Sequence, residues 1–392
     1  MLEKALGLCS GCHTCYSLCP KQAIKMVANS EGFLYPQINN DLCINCGLCE
    51  KKCPVLNPII KDNEKTFAYA VINKNEEIRL QSSSGGVFTS LAENVLNQNG
   101  IVFGAKFDSD FNVIHGYTDS LEGLAEFRGS KYVQSTIGDS FKECKNFLDE
   151  GRQVLFSGTP CQIAGLKSFL GKNCDNLLCV DFICHGVPSP LLWSEYRKTL
   201  EKKFASRIMK TAFRRKDYGW KQYSLAVTFG NASEYCNTLK KDSYLKLFLK
   251  DVCLRESCYN CKYKTEKRIS DITIADFWGI QNEYPELDDD KGTSFVMTHS
   301  DKGKKIVDNL TSCVVKQIPL EKGVKYNPSY TRSVIRPKKR DVFFLDLEKY
   351  SQNKITLEKL VEKYTLDGLF VRGYRLLRRC LGKVKRMILN GK

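Results

Sequence analysis

Eight cysteines near the start of the chain repeat one spacing. The pattern C-x2-C-x2-C-x3-C-P occurs at Cys9, Cys12, Cys15, Cys19 and Pro20, and again at Cys43, Cys46, Cys49, Cys53 and Pro54. Three thiolates in one tight loop can bind three corners of a 4Fe–4S cubane, while the fourth starts a helical turn and points to the other cluster. The spacing therefore predicts one cluster at Cys9, Cys12, Cys15 and Cys53, and a second at Cys43, Cys46, Cys49 and Cys19.

Other uses of cysteine have different spacings. Zinc sites usually combine two C-x2-C pairs or include histidine, and disulfide frameworks are typical of short secreted chains. A repeated run of four cysteines that ends in proline therefore favours two iron–sulfur clusters. Everything downstream must then give electrons to this module or take electrons from it.

Further cysteines are spread over the middle of the chain. Cys258 and Cys261 form a C-x2-C pair, and Cys253 lies five residues upstream as an extra candidate ligand. The pair needs two more ligands. Cys161 and Cys184 both follow predicted strands, so they could meet at one edge of a sheet. Either a third 4Fe–4S cluster or a zinc site is compatible with this spacing.

Two predicted junctions lead into helices and offer backbone N–H groups to a ligand. The segment SSSGGV at residues 82–87 favours a phosphate, because the helix dipole attracts an anion and glycine allows close approach; an ordinary helix N-cap is the alternative. The segment SGTPC at residues 157–161 places proline in the first helical turn. A thiolate at Cys161 would be stabilised by the same N–H groups, whereas a buried, inert thiol is the alternative.

The elements that must position these residues alternate along the chain. A hairpin that turns at Ser30–Gly32 is predicted between the cysteine repeats, and the polar stretch Asn57–Lys65 indicates a linker. From residue 66, apolar strands such as FAYAVIN, QVLFSG and LLCVDFIC alternate with helices such as PCQIAGLKSFLG, and residues 207–240 are rich in strands. This alternation predicts an α/β or α+β domain.

Composition limits the class of protein. With 392 residues and 42% hydrophobic residues the chain can form a large core. We expect no signal peptide, since the first residues lack a basic region followed by an apolar run, and no apolar run reaches the roughly 18–20 residues of a membrane span. Thiolate-bound clusters and free thiols predict a cytoplasmic location.

The net charge of +16 is concentrated at the C-terminus, where residues 368–392 contain eight Lys or Arg and no Asp or Glu. One face of a predicted helix there carries Leu377, Leu381, Val384 and Ile388. A basic amphipathic helix predicts peripheral contact with an anionic membrane at its inner face. A terminal helix docked on its own body is the alternative. Nucleic acid is not expected as a partner, because the tail lacks interleaved stacking aromatics.

Seven segments resemble one protein family in their order along the chain: SSSGGVFTSL, GSKYVQS, FSGTPCQIAGL, FICHGVPSP, SCYNCKYK, DITIADFWG and GTSFVMTHSDKG. They follow the pattern of the coenzyme F420 hydrogenase/dehydrogenase beta-subunit family over roughly residues 66–320. That family also includes flavin–iron–sulfur reductases of plants and bacteria that act on chlorophyll precursors.

This resemblance implies FAD in the body and a 4Fe–4S cluster beside it. The family's cluster cysteines correspond to Cys161, Cys184, Cys258 and Cys261. Its flavin contacts resemble three short segments, namely Ser84, Gly85, Gly86 and Val87, then Gly129, Ser130, Lys131 and Tyr132, and finally Thr159 and Pro160.

Two residues are candidates for catalysis. A cation at Lys131 beside the flavin ring would stabilise negative charge on it, whereas a solvated lysine on a turn is the alternative. His185 could donate a proton to a substrate near the flavin, or it could only hydrogen-bond a cluster sulfide or a backbone group.

The predicted fold class is α+β. It has a two-cluster ferredoxin-type domain at residues 1–57, a mixed α/β body that binds FAD and a cluster at residues 66–330, and a basic helical tail at residues 331–392. The predicted function is a flavin–iron–sulfur oxidoreductase that exchanges electrons with ferredoxin or a similar low-potential carrier and reduces or oxidises an organic substrate. The alternative is a subunit that relays electrons to a partner enzyme without a substrate of its own. A non-redox binding protein with structural clusters is the third hypothesis.

Overall fold

The computed structural model describes residues 7–60 and 65–365. At the N-terminus, β1 (Ile24–Ala28) and β2 (Leu34–Ile38) pair antiparallel as the predicted hairpin. Each cysteine repeat contains one short helix, Thr14–Leu18 or Leu48–Lys51. The residues that precede these helices, His13 and Gly47, both have left-handed backbone angles, with φ of 64° and 68°. The two repeats therefore start their helices in the same way.

The body is built on one eight-stranded sheet. Its strands are β3 (Phe67–Asn73), β4 (Ile101–Phe107), β5 (Val113–Thr118), β6 (Val154–Ser157), β7 (Leu177–Phe182), β11 (Ile272–Asp276), β12 (Ser294–Thr298) and β13 (Cys313–Ile318). Their order across the sheet is β13-β3-β12-β11-β7-β6-β4-β5.

The strand directions decide which loops can meet. Strands β4, β6, β7 and β11 are parallel to one another. Strand β12 is antiparallel to both β11 and β3, so β3 runs in the same direction as β11. The loops that follow β3, β6, β7 and β11 therefore leave the sheet at one edge, where open α/β sheets commonly bind ligands.

Helices cover both faces of this sheet, which explains why its central strands are mostly apolar. The helix Val87–Leu96 packs on one face, and the helices Ser140–Asp149 and Pro160–Leu170 pack on the other. The remaining described helices are Glu76–Gln81, Pro190–Phe204, Ser243–Leu249, Ile280–Glu283, Asp301–Asp308, Leu320–Val324, Arg340–Ser351 and Leu357–Thr365.

A smaller three-stranded sheet, in the order β10-β9-β8, forms a second layer. Its strands are β8 (Ile208–Arg215), β9 (Ser224–Phe229) and β10 (Glu234–Thr238). An aromatic core joins this sheet to the N-terminal hairpin and to the last described helices, since Phe33, Trp193, Tyr244 and Phe343 belong to one buried cluster. The N-terminal module is thus packed into the body.

The described part of the predicted tail also packs against the body. Phe343, Leu347, Leu360 and Tyr364 are buried in the same aromatic cluster. Arg340 forms a two-pronged ion pair with Glu31 of the hairpin, at 2.8 and 2.7 Å. The basic stretch that carries Leu377, Leu381, Val384 and Ile388 lies outside the described residues, so its membrane contact stays a prediction.

The predicted fold class is confirmed as an N-terminal ferredoxin-like unit followed by a mixed α/β body. The sequence missed the short helix Glu76–Gln81 and strand β13, whose polar, half-exposed pattern CVVKQI lacks the apolar run of the central strands. Within residues 7–60 and 65–365, every helix is too short or too polar to cross a membrane.

Candidate functional site

The structure brings together the four cysteines predicted for the second cluster. Cys19, Cys43, Cys46 and Cys49 line one pocket with Ile44 and Leu48. The backbone N–H of Ala23 donates to the Cys19 sulfur at 3.2 Å. Because Cys46 is exposed, this outer set of cysteines is open to solvent.

The four cysteines predicted for the first cluster also meet, and they lie deeper. Burial raises the pKa of Cys12 to about 11, and the nearby thiols of Cys9 and Cys53 contribute to the increase. Burial also raises the pKa of Cys15, on which the other three thiols act. The fourth cysteine of each repeat therefore lies with the other repeat, as the spacing predicted. We call Cys9, Cys12, Cys15 and Cys53 the inner set.

A third group of thiols lies in the body at the edge of the large sheet. Cys161 follows β6, Cys184 follows β7, and both line one cavity with Cys258 and Cys261. Burial raises the pKa of Cys184 to about 12, with further contributions from Cys258 and Cys261. We call these four cysteines the body set. Their meeting at one sheet edge agrees with the expectation from the predicted strands.

Cys253, the extra candidate ligand, lies elsewhere. It is fully buried in the aromatic core beside Tyr244 and Leu254. The charged groups that act on its thiol belong to Asp251 and Arg340, and burial raises its pKa. Its surroundings are those of a small buried hydrophobic residue.

The inner set and the body set are in contact through the helix Pro160–Leu170. The hydroxyl of Thr14 donates to the carbonyl of Gly165 at 3.0 Å. A Cβ added to Gly165 would lie 2.9 Å from the Cβ of Cys12. Since this helix begins with the Cys161 turn, the absence of a side chain at Gly165 lets one cysteine set approach the other.

The body cavity suits an iron–sulfur cluster by its chemistry. It is lined by four thiols, which is the usual ligand number for a 4Fe–4S cluster. The hydroxyls of Ser10 and Tyr263 also line it, and among the described residues neither has a hydrogen-bond partner. Cluster sulfides would accept from such hydroxyls. In the described ranges, no group of three or more His, Cys, Asp or Glu surrounds a single metal position.

Two of the predicted flavin segments lie side by side. The backbone N–H of Ser130 donates to the hydroxyl of Ser83 at 2.6 Å. The ammonium group of Lys216, on the chain just after β8, donates to the carbonyl of Ser84 at 2.8 Å. The structure thus joins residues 82–87 to residues 129–132.

The glycines of the first segment are required by the fold itself. The N–H of Gly85 already donates to the Ser294 hydroxyl at 3.0 Å, and a Cβ there would lie 2.4 Å from the carbonyl of Val71. Gly86 has a left-handed φ of 85°, and Val87 is buried in the core. The N–H of Gly85 is therefore not free for a phosphate, and Gly86 is the N-cap residue of the helix.

The third segment caps the helix that carries Cys161. Thr159 and Gln162 form a reciprocal capping box, and the Thr159 hydroxyl lies 3.0 Å from the Cys161 sulfur. Gln162 also donates to the Ser135 hydroxyl at 3.0 Å, which in turn lies 2.8 Å from His115 Nδ1. A buried polar chain therefore fixes the entry of this helix behind the body set.

Lys131 and Tyr132 are half-buried. Burial lowers the pKa of Lys131 to about 7, and its ammonium group donates to the carbonyls of Arg128 and Gly129 at 3.3 Å. The Tyr132 ring packs on Phe248, with centroids 4.8 Å apart. Lys131 is therefore held against its own turn, and its contact with a flavin stays a prediction.

His185 is held by a carboxylate. Its Nε2 lies 2.5 Å from Asp251, and its ring packs edge-on against Phe248 with centroids 5.4 Å apart. Phe248 thus lies between His185 and Tyr132. An imidazole with a carboxylate partner can transfer protons. The contacts of His185 are with Asp251 and Phe248, and Lys131 is not among them.

Sequence reasoning missed a buried cation beside these rings. Arg214, on β8, forms an ion pair with Asp276 at the end of β11 and packs over Tyr223 at 4.4 Å. Its Nε and Nη2 have no hydrogen-bond partner in the described parts of the chain. The phenol of Tyr132 is also close to this guanidinium. Two unsatisfied donors near Tyr132 suit an anionic or carbonyl-bearing ligand. The only sequence signal for this position was the DFWG segment, which contains Asp276, the partner of Arg214.

Two family models match the chain. Residues 151–321 match the model for the C terminus of the coenzyme F420 hydrogenase/dehydrogenase beta subunit, and residues 8–57 match the 4Fe–4S dicluster domain. One similar solved structure is that of the F420-reducing [NiFe] hydrogenase complex from Methanosarcina barkeri, studied by xenon derivatization. It is 18% identical, with 78% of this chain and 94% of that chain covered and a TM-score of 0.45. No curated protein matches. The two family models confirm the resemblance predicted from the sequence.

Proposed function

We propose that the protein is an iron–sulfur flavoprotein oxidoreductase, because residues 151–321 match the model for the coenzyme F420 hydrogenase/dehydrogenase beta subunit and residues 8–57 match the 4Fe–4S dicluster domain. It would carry three 4Fe–4S clusters and FAD. An organic substrate would be reduced or oxidised at the flavin, with ferredoxin or a similar low-potential carrier on the other side.

One observation carries this proposal: the inner set and the body set of cysteines are separated by a single helix contact. Cys12 packs on Gly165 of the helix that begins at the Cys161 turn. Electron transfer needs short distances between centres. A dicluster module fused to an unrelated binding domain would have no reason to place its buried set there.

The exposure of the three sets gives the order of the path. Cys46 in the outer set is exposed, Cys12 in the inner set is buried, and the body set lies at the sheet edge. Among the twelve cysteines of the three sets, Cys46 is the exposed one, so a soluble carrier would approach the outer set most closely. The proposed order of electron transfer is therefore outer set, inner set, body set and flavin.

The flavin would supply the conversion between single electrons and electron pairs. Its binding residues in this proposal are Ser84, Ser130, Lys131, Tyr132 and Thr159, with Arg214 added from the structure. Lys131 and Arg214 bring positive charge to the same side of the sheet edge, where they would hold an anionic or carbonyl oxygen. Tyr132 would pack against the ring system, and Phe248 excludes water behind it.

His185 is the proposed proton carrier. Its Nε2–H donates to the Asp251 carboxylate, because a carboxylate can only accept. With Nε2 held by Asp251, Nδ1 is the ring nitrogen that would exchange a proton with a substrate in this proposal. In the proposal His185 transfers a proton, whereas Lys131 binds the flavin.

The test is anaerobic purification followed by quantification of iron, sulfide and flavin. Three cubanes require about 12 irons per chain, with one FAD. About eight irons together with zinc in the body set would eliminate the third cluster. Complete clusters without any flavin would instead revive the hypothesis of a binding protein with structural clusters.

The relay alternative rests on a different observation. Leu42 and Ile44, beside the outer set, are 51% and 58% exposed, and exposed apolar residues are typical of protein contacts. A relay subunit would reduce dyes only and would co-purify with a partner oxidoreductase. Turnover of a candidate substrate by the isolated chain, with reduced ferredoxin or dithionite as donor, would favour the enzyme.

A further inference from the structure

Tyr263 has a buried hydroxyl group with no hydrogen-bond partner among the described residues. It lies two positions after Cys261 and lines the cavity of the body set. Buried hydroxyls in folded proteins are nearly always hydrogen-bonded, since an unpaired one keeps its full desolvation cost. A partner that belongs in this cavity is therefore expected for the Tyr263 hydroxyl.

The phenol faces both buried cysteine sets. Cys12 and Cys53 of the inner set interact with it electrostatically, and so do Cys161 and Cys261 of the body set. Tyr263 therefore lies near thiols of both sets, in the cavity that the body set lines.

We propose that the Tyr263 hydroxyl donates a hydrogen bond to a sulfur of the cluster held by the body set and raises the reduction potential of that cluster. This inference rests on the proposed function. A reduced cluster carries one more negative charge, and a hydrogen bond to its sulfur stabilises that charge. Hydrogen bonds to the sulfurs are among the factors that set cluster potentials. A higher potential of the body cluster would favour electron transfer to it from the cluster of the inner set.

Other nearby hydroxyls are less suited to this role. The hydroxyl of Tyr259, four residues earlier, already donates to the Asp251 carbonyl. Ser10 lines the same cavity with a free hydroxyl, but it lies on the N-terminal module, one residue from Cys9. Tyr263 alone combines a place next to Cys261 with a buried, unpaired donor.

The experiment compares full-length, anaerobically reconstituted wild type, Tyr263→Phe and Tyr259→Phe. Iron is quantified, and the potential of each cluster is followed by titration with electron paramagnetic resonance. We expect Tyr263→Phe to keep its iron and to shift the signal of the body cluster to a more negative potential, while the two N-terminal clusters stay in place. Tyr259→Phe, which makes the same chemical change in the same segment, should leave all three potentials unchanged.

A second measurement keeps the inference testable if the shift is small. After exchange into deuterated water, electron–nuclear double resonance should show that an exchangeable proton near the body cluster in wild type is lost in Tyr263→Phe. Unchanged potentials and proton couplings, a shift confined to the N-terminal clusters, or loss of iron from the body set would each overturn the inference. Wild type without a third cluster would overturn the proposed function itself.

Discussion

The guanidinium of Arg255 donates a hydrogen bond to the backbone carbonyl of Cys9 at 2.7 Å, although the two residues are 246 positions apart. The same group donates to the side chain of Gln134 and to the carbonyl of Leu34, both at 3.0 Å, and lies 4.1 Å from the ring of Tyr35. Arg255 is fully buried. One cation thus joins the cysteine loop, the hairpin and the body.

Replacement of Arg255 by methionine should loosen this junction. The change leaves three half-buried oxygen acceptors without their donor, and a hydrogen bond that involves a charged group contributes about 1.5–3 kcal/mol. We expect the free energy of unfolding to fall by about 3 kcal/mol or more, with faster proteolysis of the N-terminal module. Thermal unfolding under anaerobic conditions and limited proteolysis measure these effects.

The control is Arg332→Met, which makes the same change at an exposed position. Its effect should stay within about 0.5 kcal/mol, as is usual for surface substitutions. Equal unfolding midpoints for the two variants would show that Arg255 does not hold the module in place.

Gly165→Ala tests the contact between the inner set and the body set. In an unconstrained helix this change would stabilise by up to about 1 kcal/mol. Here the new Cβ would lie 2.8 Å from the Thr14 hydroxyl and 2.9 Å from the Cβ of Cys12, so the sign should reverse, with a cost of about 1–3 kcal/mol. The rate of electron transfer to the body cluster should fall as well. Lys167→Ala, in the same helix, is the control, and a more stable Gly165→Ala protein would contradict the contact.

Cys184→Ala and Cys253→Ala separate the body ligands from a buried thiol. Cys184 lines the body cavity, whereas Cys253 lies in the aromatic core. We expect Cys184→Ala to lose about four irons, one cubane's content, and Cys253→Ala to keep all of them. Iron analysis after anaerobic reconstitution decides the matter, and the opposite pattern would make Cys253 the ligand.

The spacing of residues in the sequence predicted much of this site, whereas the contacts made by long-range packing could not be predicted from it. The cysteine repeats predicted which thiols would meet, because the fourth cysteine of each run has a fixed direction from its loop. Because Cys161 and Cys184 both follow predicted strands, the sequence allowed them to meet at one edge of a sheet. Nothing local marks Arg255, whose hydrogen-bond partners lie more than a hundred residues away. Tyr263 lies two residues after Cys261, but the sequence does not show that its hydroxyl is buried and unpaired.

In the predicted flavin segments, a distant residue occupies a group that the sequence suggested was free. The pattern SSSGGV suggested free N–H groups, but Ser294 on β12 occupies the N–H of Gly85. This strand is antiparallel to β3 and is brought in from more than two hundred residues downstream. A sequence window around Gly85 contains no sign of that partner.

Lys131 gives stability a pH dependence with a defined sign. Burial lowers its pKa from 10.5 to about 7, so between these values the unfolded chain binds more protons than the folded one. Stability from this group therefore rises with pH from about 7 to 10.5. We expect wild type to gain stability relative to Lys131→Met over this window, as measured by unfolding midpoints at several pH values. For the exposed lysine variant Lys338→Met the difference from wild type should stay constant, and parallel curves for Lys131→Met would contradict the burial.

The basic tail remains the basis of a membrane prediction. Its eight positive charges could each contribute about 1 kcal/mol near an anionic leaflet, and the apolar face at Leu377–Ile388 should retain some attachment at high salt. A chain that ends at Asp367 keeps Tyr364, whose hydroxyl donates to Asp346 at 2.7 Å, so the body should stay intact. Co-sedimentation with anionic liposomes should fall sharply for this truncated chain. Equal sedimentation of both chains would mean that the tail does not bind the membrane.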